Sequence, residues 1–123
     1  MVKIFIVDDD QSLQRLYALI LKEAGIEIIG TAFNGKKAVE IYLKFNDKPD
    51  LILMDHRMPI KNGIDAMKEI LQINKNEKII FASADVTVKQ EVLSLGALAF
   101  LDKPFNMKRL LNTIDKVIEK VAV

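Results

Sequence analysis

Five short runs of apolar, largely β-branched residues recur along the chain, at Ile4–Val7, Ile26–Ala32, Leu51–Met54, Ile79–Ala82 and Leu98–Leu101. Between them the apolar residues change to helical spacing. This alternation of period constrains the fold more than any other feature. Three of the runs are nearly uninterrupted, which suits strands covered on both faces, as in a parallel sheet. The intervening segments carry one apolar stripe each. Leu13, Leu16, Tyr17 and Ile20 form the first, Ala38, Ile41, Tyr42 and Phe45 the second, and Ile64, Met67 and Leu71 a third. The last segment is the clearest: Met107, Leu110, Leu111, Ile114, Val117, Ile118 and Val121 share a face, with Lys108, Arg109, Lys116 and Lys120 off it. Gly25 and Gly96 stand where a helix would end on a left-handed residue, and Asn34 and Asn106 where one would be capped. Val86–Leu95 opens on Val86, Thr87 and Val88, which are poor helix formers, so only a short helix is expected there.

The pattern is a strand–helix unit repeated five times. It predicts an α/β domain, (βα)5, with a doubly wound five-stranded parallel sheet, right-handed crossovers and helices on both faces. At 123 residues the chain has room for one hydrophobic core, so a single domain over residues 1–123 is expected. The chain contains no cysteine, which removes disulfides, zinc–thiolate sites and thiol catalysis together. Eighteen Lys and Arg face seventeen Asp and Glu, a balance that argues against a dedicated nucleic-acid binder. No apolar run approaches the ~20 residues that span a bilayer. Three acids follow Ile4–Val7 too soon for a signal peptide, so a cytoplasmic location is expected, without membrane or direct nucleic-acid contact.

A sheet of this kind binds its ligand at the carboxyl ends of its strands, near a topological switch point. The polar residues expected there are Asp8, Asp9 and Asp10 after the first strand and Asp55 after the third. Ser83 follows the fourth, and Lys103 with Pro104 the fifth. Several carboxylates in one crevice repel each other, and a hard divalent cation such as Mg²⁺ relieves that cost. Asp10 has a second reading as the cap of the first helix. A lysine and a hydroxyl beside such a cluster complete the parts needed to hold a phosphoryl group. Three carboxylates balanced by Mg²⁺ and one ammonium make a neutral site. Esterifying one carboxylate with phosphate replaces about −1 by about −2 and adds acceptor oxygens, which describes a switch better than a turnover site.

The stretches Ile6-Val7-Asp8-Asp9-Asp10, Leu53-Met54-Asp55-His56-Arg57-Met58-Pro59 with Gly63, Ser83-Ala84, and Phe100-Leu101-Asp102-Lys103-Pro104-Phe105 resemble the receiver domain of response regulators, the signalling half of two-component systems. The resemblance runs through essentially the whole chain. It implies the flavodoxin-like strand order 2-1-3-4-5, which the family's chemotaxis regulators share. It also implies that Asp55 accepts a phosphoryl group from a sensor histidine kinase or phosphotransfer protein. Asp8, Asp9, Asp55 and the backbone carbonyl of Arg57 would hold Mg²⁺. Ser83 and Lys103 would each engage a phosphoryl oxygen, and Ala84 would keep the approach open. Phe100 matches the family's switch aromatic, whose ring turns inward as the hydroxyl residue moves, and Lys103–Pro104 its cis peptide. Downstream proteins would be met by the face of the fourth helix, fifth strand and fifth helix. Arg57 and Asp85, each two residues past a site residue, are expected to face each other and modulate hydrolysis. From Ser83 to Lys103 the chain is slightly shorter than many relatives, near Ala84–Val88.

Three other readings use the same residues. A haloacid-dehalogenase-like phosphatase would place an acid two positions after its nucleophile, where this chain has Arg57. A mononucleotide binder of the flavodoxin kind would want a Ser/Thr/Gly-rich first loop, where this chain has three acids. A pseudo-receiver, acting only as an interaction module, would not need the full set of Asp8, Asp9, Asp55, Ser83 and Lys103. His56, the single histidine, is expected to be a partly exposed loop residue with no catalytic role. The expected protein is a regulator and not a turnover enzyme.

Overall fold

A computed structural model describes residues 1–119; Lys120 and Val121, expected on the last helix, lie outside them. Five strands alternate with five helices: β1 (Lys3–Val7), α1 (Gln11–Glu23), β2 (Glu27–Ala32), α2 (Gly35–Lys44), β3 (Leu51–Asp55), α3 (Gly63–Ile73), β4 (Ile79–Ser83), α4 (Lys89–Leu95), β5 (Ala99–Asp102) and α5 (Met107–Glu119). All strand pairs are parallel, in the order β2-β1-β3-β4-β5. The chain therefore reverses its direction of winding after β2, and the switch point lies between β1 and β3.

Strand position explains strand composition. The three central strands, β1, β3 and β4, are buried almost throughout, while the edge strands β2 and β5 are only partly covered. Alternate side chains feed two apolar layers. Phe5, Val7, Ile52, Met54, Ile79 and Phe81 meet α2, α3 and α4 on one face. Ile4, Ile6, Leu51, Leu53, Ile80 and Ala82 meet α1 and α5 on the other. Fully burying each of these side chains other than Ala82 contributes roughly 1.5–3 kcal/mol. None of the described helices is long and apolar enough to cross a membrane.

The expected helix ends are present. Asn34 accepts from the Lys37 N–H at 2.8 Å, Asn106 from the Arg109 N–H at 2.8 Å, and Asp10 from the Leu13 N–H at 3.1 Å. Gly25 and Gly96 have φ of 80° and 123°. After α1 the Gly25 and Ile26 N–H groups return to the Lys22 and Leu21 carbonyls, a closure that needs the left-handed glycine. The segment Val86–Leu95 divides: Val86–Val88 forms one 3₁₀ turn and α4 begins only at Lys89. The β-branched residues resist the α-helix, and Asp85 caps the tighter turn through the Thr87 N–H. On α1 the buried face is Gln14, Tyr17 and Leu21, whereas Leu16, expected in the stripe, is 42% exposed.

Candidate functional site

The carboxyl ends of β1, β3, β4 and β5 converge as expected. Asp8 leaves β1 with its N–H still in the ladder, donating to the Ala32 carbonyl at 3.0 Å. Its side chain is buried, and Oδ1 accepts from the Asp10 N–H at 2.9 Å. Asp10 is committed to capping α1, which decides between its two readings, and Asp9 is exposed. Asp55 ends β3 and is 8% exposed. One oxygen from each of Asp8, Asp9 and Asp55 lies within 4.8 Å of the others, an all-oxygen donor set suited to a hard divalent cation.

The loop after β3 doubles back over Asp55, and the Gly63 N–H donates to the His56 carbonyl at 2.8 Å. A Cβ at Gly63 would stand 2.0 Å from the Asp55 carbonyl oxygen, so only glycine permits the approach. Lys103 follows β5, its backbone N–H donating to the Ser83 carbonyl at 3.0 Å, and its bond to Pro104 is cis. Its Nζ reaches Asp8 Oδ2 at 2.7 Å and Asp55 Oδ1 at 3.3 Å. Ser83 ends β4, and its Oγ accepts from the Asp85 N–H at 3.0 Å.

The electrostatics follow from this packing. The Asp55 carboxyl is pushed up to about 6, chiefly by burial; Lys103 opposes the shift and the Asp8 charge adds to it. Burial works against the Lys103 ammonium, yet the hydrogen bond it donates to Asp8 and the charges of Asp55 and Asp8 win, so its pKa is raised. The site thus stores like charge that a single lysine offsets only in part. Asp55, Ser83, Ala84 and Lys103 line an open cleft of about 530 Å³ together with Arg57 and Asp85–Thr87.

Arg57 and Asp85, both in that lining, pair Nη2 to Oδ2 at 3.3 Å. The Asp85 carboxyl is held below its usual range, first by the Thr87 side chain and backbone and then by Arg57. Phe100 is 8% exposed, and its ring lies parallel to Phe81 at 6.4 Å, so it already sits inside the molecule. His56 is half-buried; its ring tilts against Phe81 at 5.9 Å, and its Nδ1 is enclosed without a partner among the described residues. Gln14 and Tyr17, both buried on α1, were not expected near the site. Burial raises the Tyr17 phenol, with Asp8 adding to the shift, and its hydroxyl has no partner among the described residues. The spacing 14, 17, 21 on one helix face is the signal that would have revealed Gln14.

Residues 4–115 match the family model described as response regulator receiver domain. The chain is 41% identical over 117 residues to the chemotaxis protein CheY of Thermotoga maritima, covering 94% of this chain and 96% of that protein. It is 38% identical over 118 residues to CheY of Bacillus subtilis, covering 94% and 97%. Its fold matches a chain of the CheX–CheY–BeF₃–Mg²⁺ complex of Borrelia burgdorferi at a TM-score of 0.90 and 29% identity, over 94% of this chain and 88% of that one. It also matches the response regulator TrrA of T. maritima in complex with Mg²⁺ and BeF, at a TM-score of 0.85 and 32% identity, over 95% and 99%.

Proposed function

Since this chain belongs to the response regulator receiver domain family of two-component signalling, we propose that Asp55 is its phosphoacceptor and that a phosphohistidine of a sensor kinase or phosphotransfer protein is the donor. The observation that supports this reading most is the pairing of a buried strand-end carboxylate with an ammonium. Asp55 Oδ1 lies 3.3 Å from Lys103 Nζ, with Asp8 and Asp9 alongside.

An Asp55 oxygen attacks the phosphorus, the phosphorus–nitrogen bond to the donor imidazole breaks, and the imidazole leaves with the electron pair. An acyl phosphate remains on Asp55. Little covalent chemistry is asked of the protein beyond this; it positions the group and offsets its charge. Lys103 pairs with one phosphoryl oxygen. Ser83 Oγ already accepts from the Asp85 N–H, which leaves its O–H to donate to another. Asp8, Asp9, Asp55 and the Arg57 carbonyl would hold Mg²⁺, whose charge, when bound, offsets the negative charge gathering on the phosphoryl oxygens. Ala84, exposed at the cleft, leaves the approach open. An apolar groove of about 380 Å³ shares Ala84 and Lys103 with the cleft and continues over Leu13, Leu16, Phe105 and Met107, giving a donor protein a surface beside Asp55.

The new charge on Asp55 draws Ser83 and Lys103 toward it, and both are tied to β4 and β5. Phe100, on β5, carries the change to the α4–β5–α5 face, where a downstream protein binds. The test is intact mass after incubation with acetyl phosphate, with and without Mg²⁺, on the wild type and Asp55→Asn. A Mg²⁺-dependent gain of one phosphoryl group, lost in Asp55→Asn, is the expected result. No gain from acetyl phosphate or from a purified histidine kinase would mark the chain as an interaction module instead.

A further inference from the structure

Gln14 is 7% exposed on α1, and its amide points at the ends of β1 and β2. Nε2 lies 3.1 Å from the Asp8 carbonyl oxygen, 3.2 Å from that of Ala32 and 3.4 Å from that of Ile6. Three carbonyl oxygens around one atom settle which end of the amide faces them. With Nε2 and Oε1 exchanged, four acceptors would crowd together with no hydrogen between them. The other end gains nothing locally, because Oε1 has no partner among the described residues. A glutamine thus brings to this position a buried, unpaired oxygen that an apolar side chain would not bring.

What the amide does serve is the turn. Asp8 is the residue at which β1 passes into the acid cluster. Its N–H is bound to the Ala32 carbonyl and its Oδ1 to the Asp10 N–H. Gln14 binds the remaining backbone group of Asp8, its carbonyl, and bridges it to Ala32 on the neighbouring strand. We infer that Gln14 is a positioning residue for the cation site: it clamps the β1–α1 turn so that the Asp8 and Asp9 carboxylates stand ready opposite Asp55. This rests on the reading that those acids hold Mg²⁺. Groups that orient the groups holding a metal commonly change its affinity by about 10–100-fold when removed, because the acids must then be ordered at the moment of binding.

Calorimetric titration with Mg²⁺ alone tests the inference. Gln14→Met keeps the length and apolar packing but removes both donors; its Mg²⁺ dissociation constant is expected to rise about tenfold. Hydrogen exchange at the Asp8 and Asp10 N–H groups should quicken in the same variant without Mg²⁺. Leu21→Ala, a cavity on the same helix away from the turn, controls for a merely structural loss, and its Mg²⁺ affinity should stay within twofold of the wild type. Gln14→Arg, which supplies donors again, should recover affinity to within about threefold. If Gln14→Met does not fold, Gln14→Asn takes its place: its amide falls one methylene short of the carbonyls, so its Mg²⁺ affinity should fall likewise, and wild-type affinity there overturns the inference. Wild-type affinity in Gln14→Met, equal weakening in Leu21→Ala, or no recovery in Gln14→Arg overturns the inference. Failure of the wild type to bind Mg²⁺ at all would instead overturn the reading of the acid cluster on which it rests.

Discussion

Lys103 Nζ spans two carboxylates at once, 2.7 Å from Asp8 Oδ2 and 3.3 Å from Asp55 Oδ1, and brings the end of β5 to the ends of β1 and β3. Removing it leaves two buried acids facing each other. Lys103→Met is expected to lower the metal-free unfolding free energy by about 3–5 kcal/mol, the scale of an uncompensated buried charge. Saturating Mg²⁺ should recover much of that loss by binding only the folded chain. Urea denaturation with and without Mg²⁺ checks both statements.

Asp55 carries the opposite sign. Its folded carboxyl titrates at about 6, above the value near 4 of an unfolded chain, because it is buried. Above pH 6 the folded state holds a charge that the unfolded state carries at less cost, and below pH 4 neither state holds it. Asp55→Asn should therefore stabilise the metal-free protein by about 2–3 kcal/mol at pH 7–8, with the gain fading as the pH falls from 6 to 4. Asp9, which is exposed, should show no comparable gain as Asp9→Asn. A gain at Asp55 that persists at pH 4 would locate its origin elsewhere than in the buried charge.

Arg57 and Asp85 pair at 3.3 Å, and both line the cleft onto which Asp55 opens. On the proposed reading of Asp55, the pair hinders water that approaches its phosphoryl group. Arg57→Ala should shorten the phosphoryl lifetime by about two- to fivefold, the rate equivalent of an exposed contact. Raised salt should bring the wild type toward the variant. Loss of label from the acetyl-phosphate-treated protein, followed by mass, measures this, and an unchanged half-life would remove the gating role.

Ile60 holds φ at 72° with its side chain 77% exposed, an arrangement that places a β-branched residue in the left-handed region without burial in return. Such a residue costs roughly 1–2 kcal/mol there, and asparagine tolerates the conformation best after glycine. Ile60→Asn should raise stability by about 1 kcal/mol, while Ile60→Val should not. Equal urea midpoints for the two variants would place the backbone elsewhere.

Much of the fold was legible because its signals are local. A change of apolar period marks a change of element, and Asn34, Asn106, Gly25 and Gly96 act through bonds to residues three or four away in the chain. The strand-end polar residues were legible for the same reason: once a strand ends, the next side chain must lie at the sheet edge. Errors arose where packing overrode pattern. Leu16 fits the apolar stripe of α1 by spacing, yet Gln14 occupies the buried face, where its amide donates toward the carbonyls of Ile6, Asp8 and Ala32. Val86–Val88 reads as the start of a helix, but its branched side chains and the Asp85 cap favour a 3₁₀ turn.

The sequence by itself determined the elements, their parallel pairing and the list of groups at the sheet edge, since each depends on periodicity and chain order. Only the tertiary structure decided how those groups share the edge. Asp10 turns to cap α1, while Asp8 turns inward to Lys103 and Asp9 stays in solvent. Three consecutive aspartates are chemically alike. What separates them is the direction each leaves the turn and the dielectric it enters, and both are set by residues up to 95 positions away. The inward ring of Phe100 against Phe81 is of the same kind, a contact across two strands that no local pattern encodes.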